Sequence, residues 1–582
     1  MTTRPSIGAT ASILPLAFLF LAARPATAAP PDFTEQLEFG GGPTICVAWG
    51  DPDGDGDPDL AVGNTGAQNW LFRNDGGSVF SQFDEFEQGQ TFSLTWADCD
   101  NDGDLDLAVG NRLAANRLFE NNGDGTFTTR TRFGNFLTIT IALAWADYDL
   151  DGDLDVAVGN GILGSAQENY LYRNDGGNNV FTQTLQFGAG QTQSVVWGDF
   201  DQDGDPDLAV GNGGFGFVEQ NYLYVNNGDG TFTERMEYGT GDTTSLGWGD
   251  ADNDGDLDLA VANWDNGQNY LYRNDGGTFA EIPQFGARDP NTLAWADYDN
   301  DGDLDLAVGN GDFGSADSNF LYVNEGNLVF TESAQFGLGS TDGVAWADYD
   351  QDGDLDLAVG NEHSPNTNAL YINQENDSDW LSLTLVGHFH DLGAGFSNRS
   401  GIGAKVAVYE AGFLGDAGHL LGFREIEAHG GFSSQNDIAA HFGLPGQATV
   451  DVRITWPGSA GTHVVQDLTG VAVPSRMTVH ESGGDVGVIA DPRTGGPVWR
   501  IQPNPAPGGE TLVQYLRPTA EGATAEIVDV AGRRVARLAL RPFAGGAEAR
   551  WNGRNDLGEM VAAGVYFVRG DGEVPARITV LH

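Results

Sequence analysis

The chain has 582 residues and carries 84 acidic against 27 basic side chains, a formal net charge of −57 at pH 7. That charge excludes attraction to phosphate backbones or anionic lipid, both of which need a basic footprint, so no nucleic acid partner is expected. The length implies roughly two to four domains, and 33 Phe, 13 Trp and 15 Tyr are more than a disordered acidic chain carries.

The amino terminus holds Arg4, the apolar run Ala9–Ala23 and then Ala26, Thr27 and Ala28. These are the three parts of a secretory signal peptide, so residues 1–29 predict export with cleavage near Ala28 or Ala29. The apolar run is shorter than the ~20 residues a membrane-spanning helix needs, and no later segment is apolar enough to span.

From residue 30 to residue 376 one pattern returns seven times, about 50 residues apart, as in "WADYDLDGDLDVAVGN" from Trp145 to Asn160. Each copy continues through a variable polar loop to "NYLYRNDGG" or a variant, then "FT" and a run ending in "FG". Short β-rich runs separated by Asn-Gly, Asp-Gly and Gly-Gly turns read as four antiparallel strands per copy. Four strands repeated radially are a β-propeller blade, so the fold class is all-β with a seven-bladed propeller. The chain enters at "DFTEQLEFG", which matches the last strand of a copy, while the seventh copy stops at "NALYINQEN" without one. Phe33–Phe39 is therefore expected to pair with Asn368–Asn373 and complete the seventh blade.

Within each copy the aspartates follow D-x-D-x-D-G-x-x-D, close to the calcium loop of EF-hands but with Asp at position 9. No Lys or Arg lies close in sequence to pair with them, so a cation must offset their repulsion. Alternate positions send carboxylates inward, Gly at position 6 permits the turn, and an all-oxygen shell without His or Cys suits Ca²⁺ rather than Zn²⁺. The expected ligands are Asp51, Asp53, Asp55, Asp57 and Asp59 in the first copy and Asp98, Asp100, Asp102, Asp104 and Asp106 in the second. Asp147, Asp149, Asp151, Asp153 and Asp155 follow, then Asp199, Asp201, Asp203, Asp205 and Asp207. The fifth copy offers Asp250, Asp252, Asp254, Asp256 and Asp258, and the sixth Asp297, Asp299, Asp301, Asp303 and Asp305. The seventh offers Asp348, Asp350, Asp352, Asp354 and Asp356. The seventh position of each loop, such as Asp57, is expected to bind through its carbonyl, and about seven Ca²⁺ ions are expected in all. Trp49, Trp96, Trp145, Trp197, Trp248, Trp295 and Trp346 precede the loops and read as packing between blades rather than ligand platforms. Cys46 and Cys99 sit at unmatched registers, against a disulfide.

This repeat resembles the FG-GAP, or VCBS, repeat of integrin α-subunit propellers and many secreted bacterial proteins. The resemblance implies Ca²⁺ in loops at one face of each blade and ligand binding through loops at the other.

From residue 379 to 482 the Asp loops stop. "SNRSGIGAKVAVY" and "REIEAHGGFSSQNDIAAHFGLPGQATVDVRITWPGS" resemble the β-rich ASPIC/UnbV domain of the cartilage acidic protein family. His388 and His390 lie on one face of a strand, two candidate metal ligands without a third, while His429 and His441 read as packing or polar-network residues. A Gly/Asp/Pro-rich linker, 483–499, leads to residues 500–582, a small β-sandwich by its alternation of strands and turns. Its pattern is similar to FlgD-like Ig modules and to type IX secretion sorting domains, which implies contact with secretion or surface-attachment machinery.

"GNGGFG", Gly211 to Gly216, satisfies G-x-G-x-x-G but precedes no helix, so no dinucleotide site is expected. Neither a G-x-S-x-G elbow nor H-E-x-x-H occurs. The chain is expected to be a non-enzymatic, calcium-stabilised, monomeric binding or adhesion protein. It would be secreted or held on a bacterial outer surface and recognise an extracellular protein or glycan. The alternative is a secreted polysaccharide lyase or hydrolase working in a propeller cleft. Loops such as Gly161–Glu168, Gly213–Gln220 and Gly311–Ser318 vary while the scaffold does not, and are the expected ligand contacts.

Overall fold

The computed structural model describes residues 33–581 except 41, 77–79, 124–125, 135–137, 163, 177–180, 215, 236–237, 265–266, 312–316, 334–335, 363–366, 375–378, 389–395, 430–431, 459–462, 482–487, 491–498, 503–505, 508–509, 516–523, 530–533, 544–545, 556–559, 562–563 and 570–575. The signal peptide, the cleavage site, His390 and most of the linker lie outside the described residues. The only helical turn among the described residues is the 3₁₀ turn Ala417–His419, and none is long and apolar enough to cross a membrane.

The repeats form four-stranded antiparallel units, seven among the described residues. In the fourth unit, Thr192–Gly198 pairs with Asp207–Asn212, which pairs with Tyr222–Asn226 and then Phe232–Arg235. Its first two strands are buried along their whole length, which is why "DLAVGN" has no polar alternation. Units one and two share one six-stranded sheet because Asp59–Asn74 and Phe80–Ala97 run on through corners where the other units break. Thr34–Glu38 pairs antiparallel with Ala369–Ile372, from Thr34 opposite Ile372 to Glu38 opposite Ala369, as the phase of the repeat predicts. It is thus the fourth strand of the unit built on Thr341–Ala347.

No sheet closes on itself among the described residues; the units instead lean on one another through their first strands, and Thr44–Gly50 touches Thr341–Ala347. The seven recurrent tryptophans are buried between units. Five of their indoles donate to a carbonyl of the preceding unit, as Trp49 does to Ala345 at 3.1 Å and Trp197 to Ala144 at 3.2 Å. Neither Cys46 nor Cys99 is in a disulfide; the Cys99 thiol donates to Asp106 at 2.9 Å.

Beyond the repeats, two four-stranded sheets face one another. One contains Trp380–Val386 and Ser475–His480, the other Lys405–Glu410 and Thr449–Trp456. Val488–Ala490, inside the interval read as linker, adds a strand beside Met477–Val479. The core of these sheets, Leu381, Val406, Val452 and Trp456 among others, runs without a break into Leu143, Trp145 and Val156 of the repeats. The C-terminal region forms a four-stranded and a five-stranded sheet around Val513, Ile527, Trp551 and Val568.

Candidate metal centres and the surface that covers them

Every Asp loop joins the first strand of a unit to the second. Position 1 closes the turn: Asp51 accepts from the backbone N–H of Asp55 at 3.1 Å and of Gly56 at 2.9 Å, and Asp147 does the same with Asp151 and Gly152. Position 9 ties the loop to the third strand, where Asp59 accepts from Asn74 N–H and Asp207 from Asn226 N–H, both at 2.7 Å. Position 4 has positive φ, and where it is Asn or Gln it reaches to the next loop. Asn101 donates to Asp153 and Asn300 to Asp354, at 3.0 and 2.9 Å. The side chain at position 7 is thus used between loops in most units, which leaves its carbonyl for a metal.

Ligand atoms of Asp51, Asp53 and Asp55 lie within 4.8 Å of one another, as do those of Asp199, Asp201 and Asp203 and of Asp250, Asp252 and Asp254. In units two and three the grouped residues are Asp98, Asp100 and Asp106, and Asp147, Asp149 and Asp155, so position 9 replaces position 5. Two further groups occur among the described residues. Burial, then neighbouring carboxylates, push these acids up: Asp51 to about 7, Asp59 to about 8, Asp207 to about 9, and Asp98, Asp155 and Asp305 well above the usual range. Buried carboxylate oxygens without a hydrogen-bond partner remain on Asp149, Asp252 and Asp348. An all-oxygen donor set with orphaned buried anions fits a hard divalent cation such as Ca²⁺.

No Lys or Arg lies close to the aspartates in sequence, but the fold brings several to them. The Arg in the third strand folds back onto position 3, as Arg73 does to Asp53 at 2.6 Å and Arg173 to Asp149 at 3.7 Å. Further cations come from the domain after the repeats. Lys405 pairs with Asp199, Arg476 with Asp348, and Arg424 stands 4.0 Å from Asp297, which also accepts from Gly443 N–H at 2.7 Å. These partners lie more than a hundred residues away in sequence, and no local pattern announces them.

The same domain fills the space enclosed by the first strands. Gln435 lies in a short parallel bridge with Ala48, its side chain accepting from Trp96 N–H at 2.6 Å and Thr95 Oγ1 at 2.9 Å. Asn436 accepts from Trp346 N–H at 2.9 Å, and Phe432 packs on Ile45, Ile139 and Ile141. Asn436 also donates to Trp295 O at 3.3 Å, so strands from five units are held by one segment. His441, expected in packing or a polar network, is buried and bonded to Gly353 O at 2.9 Å, and burial pushes it down to about 4. His388 stacks on His480 at 5.7 Å. Gly213 and Gly214 have positive φ in a loop between strands, with no helix after them.

Three family profiles match. One described as FG-GAP-like repeat matches residues 51–109, 98–158, 161–210, 214–261, 250–308 and 297–359, together more than half the chain. One described as FG-GAP repeat matches 192–231, and one described as ASPIC and UnbV matches 395–486. No curated protein matches. Among solved structures, the chain is similar to two crystal structures described as BBS1N in complex with ARL6DN, one soaked with mercury and one with lead. Identity is 11% and 12%, covering 60% of this chain and 98% and 99% of theirs, with TM-scores of 0.40.

Proposed function

The chain belongs to the FG-GAP-like repeat proteins, and from that premise we propose that it is an exported, calcium-stabilised binding protein. It displays a seven-bladed propeller to an extracellular protein or glycan. The observation that carries this reading is the covered face: the ASPIC/UnbV domain packs on the Asp-loop side and fills the axis. Among the described residues, the opposite side, where second strands turn into third strands, is exposed. There the exposed apolar residues Leu113, Phe217 and Val218 are 62%, 39% and 69% accessible. Apolar side chains on loops held by a rigid scaffold suit recognition of a macromolecular surface.

Bound Ca²⁺ would supply positive charge that keeps the loop carboxylates ionised and together. Positions 1, 3, 5 and 9 and the carbonyl of position 7 would hold it, and the third-strand arginines and second-domain cations share the rest of the negative charge. Seven near-equal loops offer no distinguished pair of carboxylates, which favours binding over polysaccharide cleavage. The C-terminal sandwich is proposed to serve export and surface attachment. A glycan and matrix-protein array probed with and without Ca²⁺ tests the reading. Binding that vanishes when the loops at 161–168, 213–220 and 311–318 are replaced by Gly/Ser supports it, and binding that survives their replacement contradicts it.

A further inference from the structure

One cluster of metal-ligating side chains comes from the second domain and lies beside the third and fourth Asp loops. The strand Leu420–Glu425 runs on through an extended segment to His429. Glu425, Glu427 and His429, at alternate positions, line one cleft between the third and fourth repeat units and the ASPIC/UnbV domain. Trp145, Asp147, Trp197, Asp199, Lys405 and His463 are among its other walls.

Glu425 is committed elsewhere, accepting from Asp199 N–H at 3.3 Å on both oxygens. Glu427 and His429 are committed only to each other. His429 is 6% accessible, and its Nε2 lies 3.2 Å from Glu427 Oε2. Even so, neither ring nitrogen has a partner aligned as a hydrogen bond. Two ligands of a tetrahedral ion with bonds of about 2.0–2.2 Å stand roughly 3.3–3.5 Å apart, close to this separation. The cleft holds about 30 Å³ of space, against about 10–15 Å³ for one water. That is room for an ion and a water.

We propose that His429 and Glu427 hold a divalent transition-series ion of the Zn²⁺ class, with water from the cleft completing its shell. The imidazole separates this site from the all-oxygen loops, since nitrogen donors suit Zn²⁺, Co²⁺ or Ni²⁺ and not Ca²⁺. The site is shared between domains, because its ligands come from the second domain and Trp145 and Trp197 wall it from the first.

The test is titration of Co²⁺ into the full chain saturated with Ca²⁺, followed by visible absorption, with Zn²⁺ as competitor. The expected result is one equivalent bound with a tetrahedral-type spectrum, displaced by Zn²⁺. His429→Gln and Glu427→Gln should each weaken binding by at least about tenfold, while His388→Gln changes nothing. Melting curves in Ca²⁺ show whether each variant is folded, and Glu427→Gln keeps the shape of the side chain should His429→Gln not fold. Equal Co²⁺ binding by wild type and both variants would mean an ion pair alone and overturn the proposal, as would loss of the signal in His388→Gln instead.

Discussion

Asn74 donates its side-chain amide to the carbonyl of Tyr349 at 2.9 Å, joining the first repeat unit to the seventh across 275 residues of chain. The equivalent Asn of every other unit bonds the preceding loop in the same way, from Asn121 on Pro52 to Asn373 on Tyr298. Asn74→Ala should cost about 1–3 kcal/mol, since it leaves the buried Tyr349 carbonyl without a donor. Denaturant unfolding of the full chain in Ca²⁺ measures it, and a loss under about 0.5 kcal/mol would mean that this link is dispensable.

Deleting residues 33–39 removes the strand paired with Ala369–Ile372. The edge it leaves bare is a template for pairing with another chain, so the shortened protein should aggregate or form dimers in light scattering. A monomer with an unchanged melt would contradict this.

Gln435 tests the axial segment. Its side chain satisfies Trp96 N–H and Thr95 Oγ1 and donates to Trp96 O. Gln435→Ala should cost about 2–4 kcal/mol by chemical denaturation, because a buried backbone donor loses its acceptor in a segment that joins five units. A cost near zero would mean that water replaces it.

Much of this was legible in sequence because each unit states its own local chemistry. The spacing of Asp51, Asp53, Asp55 and Asp59, the turn at Gly56 and the unmatched strand at Thr34–Glu38 are all short-range signals. What sequence did not disclose depends on long-range docking. Lys405, Arg424 and Arg476 reach the loops only because the second domain packs there. His429 read as a packing or polar-network residue, and its pair with Glu427 agrees with the second, but the cleft they share is not visible in sequence. The contact of the Asp153 side chain with a neighbouring loop is another long-range feature, and it leaves the position-7 carbonyl in the role expected from sequence.

The loop acids give a pH signature. Asp51, Asp59 and Asp207 are raised to about 7, 8 and 9, chiefly by burial. A carboxyl raised above its unfolded value near 4 favours the folded state when protonated, and that stability is lost as pH climbs through the folded value. The metal-free chain should therefore melt at a higher temperature near pH 5 than near pH 8.5. Excess Ca²⁺ should remove or reverse the order, because the metal binds the ionised form. Metal-free melting that rises from about pH 5 to 8.5 would contradict the burial of these groups.

The central claim is that the seven Asp loops bind Ca²⁺ and that the metal decides the stability of the repeats. With Kd of ~10⁻⁴ to 10⁻³ M and about 1 mM Ca²⁺, each site contributes roughly 0.4–1.4 kcal/mol. Seven independent sites contribute on the order of 3–10 kcal/mol, comparable with the whole stability of a typical domain. Asp151→Ala should therefore cost little, and removal of all metal should loosen or melt the repeats. The direct measurement is a thermal melt of the full chain with and without chelator, alongside metal counting. The account predicts about seven Ca²⁺ per chain and a large fall in melting temperature on chelation; a stoichiometry near zero, or a melt indifferent to Ca²⁺, would contradict it.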